Sequence, residues 1–348
     1  MMRPAFEVVQ AGLGNTIQDE GRRGFRHQGV PVSGWLDAEL AHCANALVGN
    51  APDAAALEMR SLGPTLQLLG GMAQVAVCGR VSVRLKRAGG LVQEPGAWCS
   101  MTMYPGDVLQ VGPVIDGCAY LACAGSWDLP AHMGSRSTYA RVGLGGLHGR
   151  ALQSGDQLPF LTSPTTPLET WRAEAPFAHE PGPIRLMPGP QANHFHDAAL
   201  QTLVQSEWQA SAAQDRMGIR LRGQPLTHAR QGAADIVSDA VTPGAIQVPA
   251  DGQPIVLLAD CQTMGGYPKI AVVIAADLPR LAHLPAGSAC RFAWVDAAQA
   301  REACAQAQAA WLAWRQGIRR YKAAAWVDED NLLGQNLIDG MIDVWAKE

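Results

Sequence analysis

The stretch that decides the fold class is Val75-Ala76-Val77-Cys78-Gly79-Arg80-Val81-Ser82-Val83-Arg84-Leu85-Lys86. Val81, Val83 and Leu85 alternate with Ser82, Arg84 and Lys86. A period of two puts the apolar side chains on one face of a strand and the polar ones on the other. The run Val75-Ala76-Val77 predicts a second strand just before it, with Gly79-Arg80 as a hairpin turn between the two. Short apolar runs of the same kind recur at 108–111, 120–124, 184–187, 255–259, 270–275 and 291–295. Between them lie 37 Gly and 23 Pro, which supply turns. Many short strands joined by tight turns predict a mainly β (α+β) chain built of barrels or sandwiches and exclude an all-helical bundle.

Helical signals are few. Leu36, Leu40, Cys43 and Leu47 fall on one stripe, with Asp37 as N-cap and Gly49 as the stop. Asp197 is expected to cap a second helix, with Leu200, Leu203, Val204 and Trp208 on one face. A third is expected over 297–316, opened by a capping box of Asp296 and Gln299 and closed by Gly317, with Cys304, Ala307, Trp311 and Trp314 as its buried stripe. Ser163-Pro164-Thr165-Thr166-Pro167 and Glu180-Pro181-Gly182-Pro183 mark a break in composition. The expected organisation is a first β unit over 1–163, a linker over 164–183, a second β unit over 184–296, and a C-terminal helix and tail over 297–348. Gln18-Asp19-Glu20-Gly21-Arg22 and Gln214-Asp215-Arg216-Met217-Gly218 are faintly parallel, as two related units would be.

Composition removes several function classes. Among 348 residues, 27 Lys and Arg stand against 31 Asp and Glu, so the charge balance gives nucleic-acid binding little support. No apolar run approaches the ~18 residues of a membrane span. The amino terminus lacks the apolar run of a secretory signal, and the eight cysteines never form a Cys-x-x-Cys pair; both point to a cytoplasmic chain with free thiols. There is no Gly-Lys dipeptide for a phosphate-binding loop, no Gly-x-Ser-x-Gly elbow, no His-Glu-x-x-His helix, no Gly-x-Gly-x-x-Gly turn and no Met-Lys-Met biotin site. Asn193-His194-Phe195-His196-Asp197 is the best metal lookalike, and a loop contact beside a solvated side chain is the better reading of it, so no metal is expected.

Four segments concentrate Gly with Gln, Ser, Arg and Asp. The first is Thr16-Ile17-Gln18-Asp19-Glu20-Gly21-Arg22-Arg23-Gly24, continued by Gly29-Val30-Pro31-Val32-Ser33-Gly34-Trp35-Leu36-Asp37. The second is Gly134-Ser135-Arg136-Ser137-Thr138-Tyr139, followed by Gly145-Gly146 and Gly149-Arg150. The third is Asp215-Arg216-Met217-Gly218-Ile219-Arg220-Leu221. The fourth is Gly244-Ala245-Ile246-Gln247-Val248-Pro249, running on to Gln262-Thr263-Met264-Gly265-Gly266-Tyr267-Pro268-Lys269-Ile270. In this order they resemble the biotin-dependent carboxyltransferase family, which includes the 5-oxoprolinase C subunit, KipA and the second half of the urea carboxylase carboxyltransferase domain. Cys261 and Met264 stand where that family commonly has Arg and Thr.

The resemblance implies two cyclophilin-like β-barrel subdomains. It also implies a role as the C subunit of an ATP-dependent 5-oxoprolinase, inactive alone and converting 5-oxoproline, ATP and water to glutamate, ADP and phosphate when joined by an A subunit and a KipI-like B subunit. ATP would be used by the complex, and no biotin would be attached to this chain. Two alternatives stay open: a KipA-like regulatory protein that binds a KipI-like inhibitor, and the carboxyltransferase component of a biotin-dependent urea or amide carboxylase.

Opening a lactam with ATP needs cations and donors near developing negative charge. Lys269, Arg136 and Asp19 are the catalytic candidates. Gln18, Arg22, Ser135, Ser137, Thr138, Arg216, Gln247, Gln262, Gly265, Gly266 and Tyr267 are the substrate- or anion-binding candidates. Gly265-Gly266 would let backbone approach a small ligand, and Ser135 to Thr138 offer amides, hydroxyls and a guanidinium. For Asp19, Arg22 and Arg216 a purely structural ion-pair network is the competing reading.

Overall fold

The computed structural model describes residues 4–161, 169–230 and 232–321. In the amino-terminal half, two antiparallel sheets enclose a core. One runs in the spatial order Gln157–Pro159, Ala5–Gln10, Thr65–Leu68, Val108–Val111, Val83–Lys86, Val92–Gln93. The other runs Thr16–Gln18, Ala56–Met59, Ala119–Cys123, Ala73–Cys78, Cys99–Met103, Trp171–Ala173, Ile318–Arg320. Phe6, Leu57, Leu66, Val75, Val77, Leu109, Leu121 and Trp127 fill the space between them.

The seven-stranded sheet is covered on both faces. Val75 and Val77 point to the core just described, whereas Ala76 and Cys78 join a second core that holds helix α1 (Ala38–Leu47) and much of the carboxy-terminal half. A strand buried on both sides needs apolar residues at every position, which is why Ala73–Cys78 shows no alternation while Val83–Lys86 does. The hairpin expected at Gly79-Arg80 therefore does not form. Ala73–Cys78 pairs with Ala119–Cys123 and Cys99–Met103, and Val83–Lys86 pairs in the other sheet with Val108–Val111 and Val92–Gln93. Gly79 is the crossing point between sheets, where a Cβ would meet that of Ala119 at 2.4 Å.

The carboxy-terminal half is an eight-stranded sheet in the order Ala289–Cys290, Trp208–Gln214, Gly218–Arg222, Ile255–Leu257, Ala245–Gln247, Lys269–Val273, Ile184–Pro188, Phe292–Trp294. Its two edge strands are separated in sequence by Arg291 alone, so the sheet curls nearly shut into a barrel. The chain is thus mainly β, with few helices, of which α1 packs on a face of the seven-stranded sheet. A further small ladder pairs Asp239–Ala240 with Met264–Gly265.

Asp37 caps α1 by accepting from the Leu40 amide at 2.9 Å. In α2 (Asp197–Gln205) His196 rather than Asp197 holds the N-cap, and Trp208 lies beyond the helix on a strand. A short α3 (Leu278–Ala282) precedes α4 (Ala297–Gln316), which carries the expected capping box of Asp296 and Gln299. On α4 Cys304 is exposed, and Ala303 with Trp311 faces inward. Both sets keep helical spacing to Ala307 and Trp314, so periodicity alone could not choose between them. The strand Trp171–Ala173 lies within the segment read as a linker and pairs with Ile318–Arg320, so α4 returns the chain to the first half's sheet. The rest of the expected tail, from 322 on, lies outside the described residues.

Candidate functional site

The sequence candidates separate into two groups. In the first, Thr16–Gln18 ends at an Asx turn in which Asp19 Oδ1 accepts from the Gly21 amide at 2.9 Å. The same carboxylate takes the hydroxyls of Ser135 at 2.5 Å and Ser137 at 2.6 Å, and its Oδ2 takes the Arg136 amide at 2.5 Å. The Asp19 amide donates back to Ser137 Oγ at 3.0 Å. Thr138 Oγ1 donates to the Ile17 carbonyl at 3.0 Å, and Gln18 Nε2 donates to the Thr138 carbonyl at 3.1 Å. Asp19 and Ser135 to Thr138 are therefore one knot whose hydrogen bonds are satisfied internally. Arg136 extends from it, half-buried, with Nε on the Leu129 carbonyl at 2.8 Å.

Arg22 lies beneath this knot with no accessible surface, and its Nη2 donates to the Ser137 carbonyl. Nε and Nη1 have no hydrogen-bond partner among the described residues. Burial lowers its pKa, opposed by the charges of Asp19 and Asp260. Gly145 packs directly on it: a Cβ there would lie 2.1 Å from both Arg22 Nη2 and the Ser137 carbonyl oxygen.

The second group surrounds Lys269, at the start of the strand Lys269–Val273. Its Nζ donates to Asp239 Oδ2 at 2.7 Å and to the Ala240 carbonyl at 3.0 Å. Gln191 spans the pair, with Nε2 on Asp239 at 3.1 Å and Oε1 on the Lys269 amide at 3.2 Å. Gln262 Nε2 donates to Gln247 Oε1 at 3.4 Å, and Gln247 Nε2 to the Tyr267 carbonyl at 3.3 Å. Lys269 itself is 2% exposed, whereas the Asp239 side chain is 50% exposed and Tyr267 is 41% exposed, so this group borders solvent. The hydrogen bond from Lys269 holds the Asp239 carboxyl below its ordinary pKa. Gly265 is required by the Gln247 amide, whose nitrogen would lie 2.4 Å from an added Cβ; around Gly266 there is more room.

The segment from Ala259 to Gln262 joins the groups. Arg26, from the first half, donates through Nη2 to the carbonyls of Val241 and Gln262 in the second. The Ser33 amide donates to the Ala259 carbonyl at 3.1 Å, from a backbone at φ 55 that is held between Val32 and Gly34. Arg216 ties the halves more firmly. Its Nη1 donates to the fully buried Glu58, its Nε to Asp260 at 2.9 Å, and its Nη2 to the Gly34 carbonyl. Burial would lower its pKa, and Glu58 with Asp260 outweighs that and holds it above the ordinary value. Glu58 also accepts the Tyr120 hydroxyl at 2.6 Å and the Leu36 amide at 3.0 Å. Gln18-Asp19 and Gln214-Asp215 both end strands in turns where the Asp carboxylate takes backbone amides, and the arginines of both segments act on Asp260.

A cleft of about 780 Å³ opens between the halves, with Arg60, Tyr139, Arg141, Arg216 and Asp260 in its wall. Of the candidates only Arg216 borders it; Lys269 and its partners do not. His194 reaches the Ala233 carbonyl at 3.5 Å, and His196 is exposed.

The carboxyltransferase domain model, subdomains A and B, matches residues 28–294. The chain belongs to this family. Within it, the chain is 37% identical over 316 residues to the 5-oxoprolinase C subunit of Escherichia coli, spanning 89% of this chain and 98% of that protein. It is 34% identical to the 5-oxoprolinase C subunit of Haemophilus influenzae, over 85% of this chain and 93% of the other. Among solved structures the urea amidolyase of K. lactis superimposes with a TM-score of 0.79 at 28% identity, over 92% of this chain and 21% of that one. The mainly β carboxyltransferase-type fold expected from the four segments is thus the observed one.

Sequence reasoning passed over Asp239, Gln191, Arg26 and Asp260. Asp239 and Gln191 lie outside the Gly-rich segments; Asp239 reaches Lys269 from the ladder with Met264–Gly265, and Gln191 from just beyond the strand Ile184–Pro188 that pairs with Lys269–Val273. Arg26 stood in the gap between the two parts of the first segment, and its basic charge shortly before the Val32-Ser33-Gly34 bend was the one available signal.

Proposed function

We propose that the chain is the C subunit of an ATP-dependent 5-oxoprolinase, acting with the A and B subunits on 5-oxoproline. The observation that carries this reading is the 37% identity to the E. coli C subunit over 98% of that protein's length. Lys269 is the residue we assign to the chemistry. Its ammonium is held by Asp239, which Gln191 braces, and by the Ala240 carbonyl at the edge of solvent, where it is available to oxygen as negative charge develops on the lactam or on a transferred phosphoryl group. The Gln262–Gln247 amide chain beside it supplies directional donors to a small polar ligand. Asp19, with both oxygens engaged, is a positioning residue for the Ser135-to-Thr138 loop, and Arg136 is the group that this loop presents. Val237, Met264 and Tyr267 expose apolar surface around the Lys269 group, as fits a site completed by a partner protein. ATP would serve the assembled complex in the cytoplasm.

The test is to purify the chain alone and with its A and B partners and to follow ATP turnover that depends on 5-oxoproline. The expectation is activity from the full set and none from the single chain. No activity from the full set removes the reading. A second reading, carboxyl transfer from carboxybiotin on another protein, is favoured by the superposition on urea amidolyase over 92% of the chain. Carboxylation of urea by the chain with a carboxylated biotin carrier would select it.

A further inference from the structure

We infer that Asp37, His179 and His283 form a binding site for a divalent transition-metal ion, with zinc as the best-suited occupant, that pins the two halves to the segment between them. The three side chains come from distant points: the N-cap of α1, the stretch after Trp171–Ala173, and the residue that ends α3. His179 Nε2 and His283 Nε2 each lie 2.7 Å from Asp37 Oδ2. The other carboxylate oxygen, Oδ1, is already committed to the Leu40 amide at 2.9 Å, so the carboxylate is fixed in rotation with one oxygen aimed between two imidazoles. All three donor atoms lie within 4.8 Å of one another.

Donor accounting makes the cluster unusual. His283 Nδ1 is 3.2 Å from the Asp116 carbonyl, which can only accept, so Nδ1 carries a proton. In a neutral ring Nε2 then has a lone pair, and it faces a carboxylate oxygen at 2.7 Å that also offers only lone pairs. A second imidazole converges on the same oxygen, and the two ring centroids are 5.8 Å apart. Positive charge must sit among the three atoms. Either one added proton supplies it, making His283 a cationic ring beside a neutral His179 whose Nε2–H donates to the same oxygen, or a metal ion does. A metal uses the lone pairs as they stand, with both rings neutral, and any proton shared between ring and carboxylate leaves to solvent as the ion enters. The Nδ1 contact to a backbone carbonyl is the usual outer support of a metal-binding histidine.

The donor set selects the ion. Two imidazole nitrogens and one carboxylate oxygen suit zinc and its neighbours, whereas magnesium and calcium prefer oxygen throughout. Cys118 Sγ, 3.8 Å from His283 Nε2, adds a soft atom at the margin. Tetrahedral zinc separates its ligands by about 3.3 Å, from bond lengths near ~2.0–2.2 Å. The imidazoles would have to retreat by only about half an ångström from their present 2.7 Å, and their side chains, 19% and 23% exposed, have room to do so. Asp37, at 1% exposure, remains the fixed point.

The experiment uses the full-length chain, dialysed against zinc or cobalt(II) under reducing conditions and then against metal-free buffer. Elemental analysis gives the stoichiometry, and the visible absorption of the cobalt form reports geometry. The expected result is one ion per chain, a tetrahedral cobalt spectrum, a thermal midpoint raised by zinc, and at least tenfold weaker binding in both His179→Gln and His283→Gln. His194→Gln/His196→Gln should bind as the unaltered chain does. His179→Gln alters a half-buried side chain between the halves, so it decides the matter even where His283→Gln fails to fold. A chain that retains no ion and shows no midpoint shift overturns the inference, as does cobalt binding unchanged in His179→Gln.

Discussion

The Asp19 group and the Lys269 group were indistinguishable as sequence, each a short Gly-rich run with one acid or base among amides and hydroxyls. Folded, they differ in kind. Asp19 gives its carboxylate to two hydroxyls and two backbone amides, all supplied by its own turn and the Ser135-to-Thr138 loop. Lys269 gives its ammonium to one carboxylate that is itself half in water. A charged group whose partners are all internal holds shape, and one whose partner faces solvent can exchange it for a ligand. Between them lies Arg216, which ranks with Asp19 in being committed to protein groups and exceeds it in span, since Glu58 and Asp260 belong to different halves.

The largest expected effect comes from that bridge. Arg216→Met would leave Glu58, with no accessible surface, without its cation while the Tyr120 hydroxyl and Leu36 amide still point at it. Removing one partner of a buried ion pair costs about 3–5 kcal/mol. Denaturant unfolding should show this as a lower midpoint. A loss below about 1 kcal/mol would place Arg216 with the open group instead, and that measurement would be accompanied by a test of activity.

A paired comparison then separates shape from chemistry. Lys269→Met in the assembled complex should lower turnover by about 10²- to 10³-fold, the scale of removing one donor to developing charge. Its stability should hardly move, because the abandoned Asp239 can hydrate. Asp19→Asn should do the reverse in part. One of its two side-chain atoms becomes a donor facing donors, which costs about 1–3 kcal/mol, and the amides of Arg136 and Ser137 should lose protection from hydrogen exchange. If Asp19→Asn retains stability and loses turnover as Lys269→Met does, the carboxylate acts on substrate and the assignment of positioning is wrong.

How much of this was legible beforehand follows from distance along the chain. Strand periodicity, the Asp37 cap and the capping box of α4 are local signals, and they were readable. Val75-Ala76-Val77 misled because a strand buried on both faces looks the same whichever sheet it belongs to. Lys269 could be picked from a Gly-rich run, but Asp239 lies 30 residues away and Gln191 78 residues away. Asp37 meets His179 and His283 across 142 and 246 residues, so no spacing rule could have assembled that cluster.

The smallest expected effect concerns the joint between the two groups. Cys261 has no accessible surface, whereas Cys304 on α4 is exposed; the other six thiols are buried as well. A thiol reagent should therefore modify Cys304 quickly in the native chain and Cys261 slowly. Burial pushes the Cys261 thiol above its ordinary pKa, with Arg26 opposing it, so it reacts only when the segment opens. Arg26 holds that segment shut through the Val241 and Gln262 carbonyls. In Arg26→Met two opposed effects meet. The thiol loses a cation that favours its thiolate, which slows reaction, and the segment loses hydrogen bonds that oppose opening, which speeds it. Reaction takes place in the opened state, where the thiol is hydrated and Arg26 is no longer beside it, so the change in opening decides the sign. A loss of about 1–2 kcal/mol in that local equilibrium corresponds to roughly 5- to 30-fold faster modification of Cys261 by peptide mapping, with Cys304 unchanged as the internal standard. Slower modification would mean that Cys261 reacts in place, and the wall between the closed and open groups would then be permeable without any opening at all.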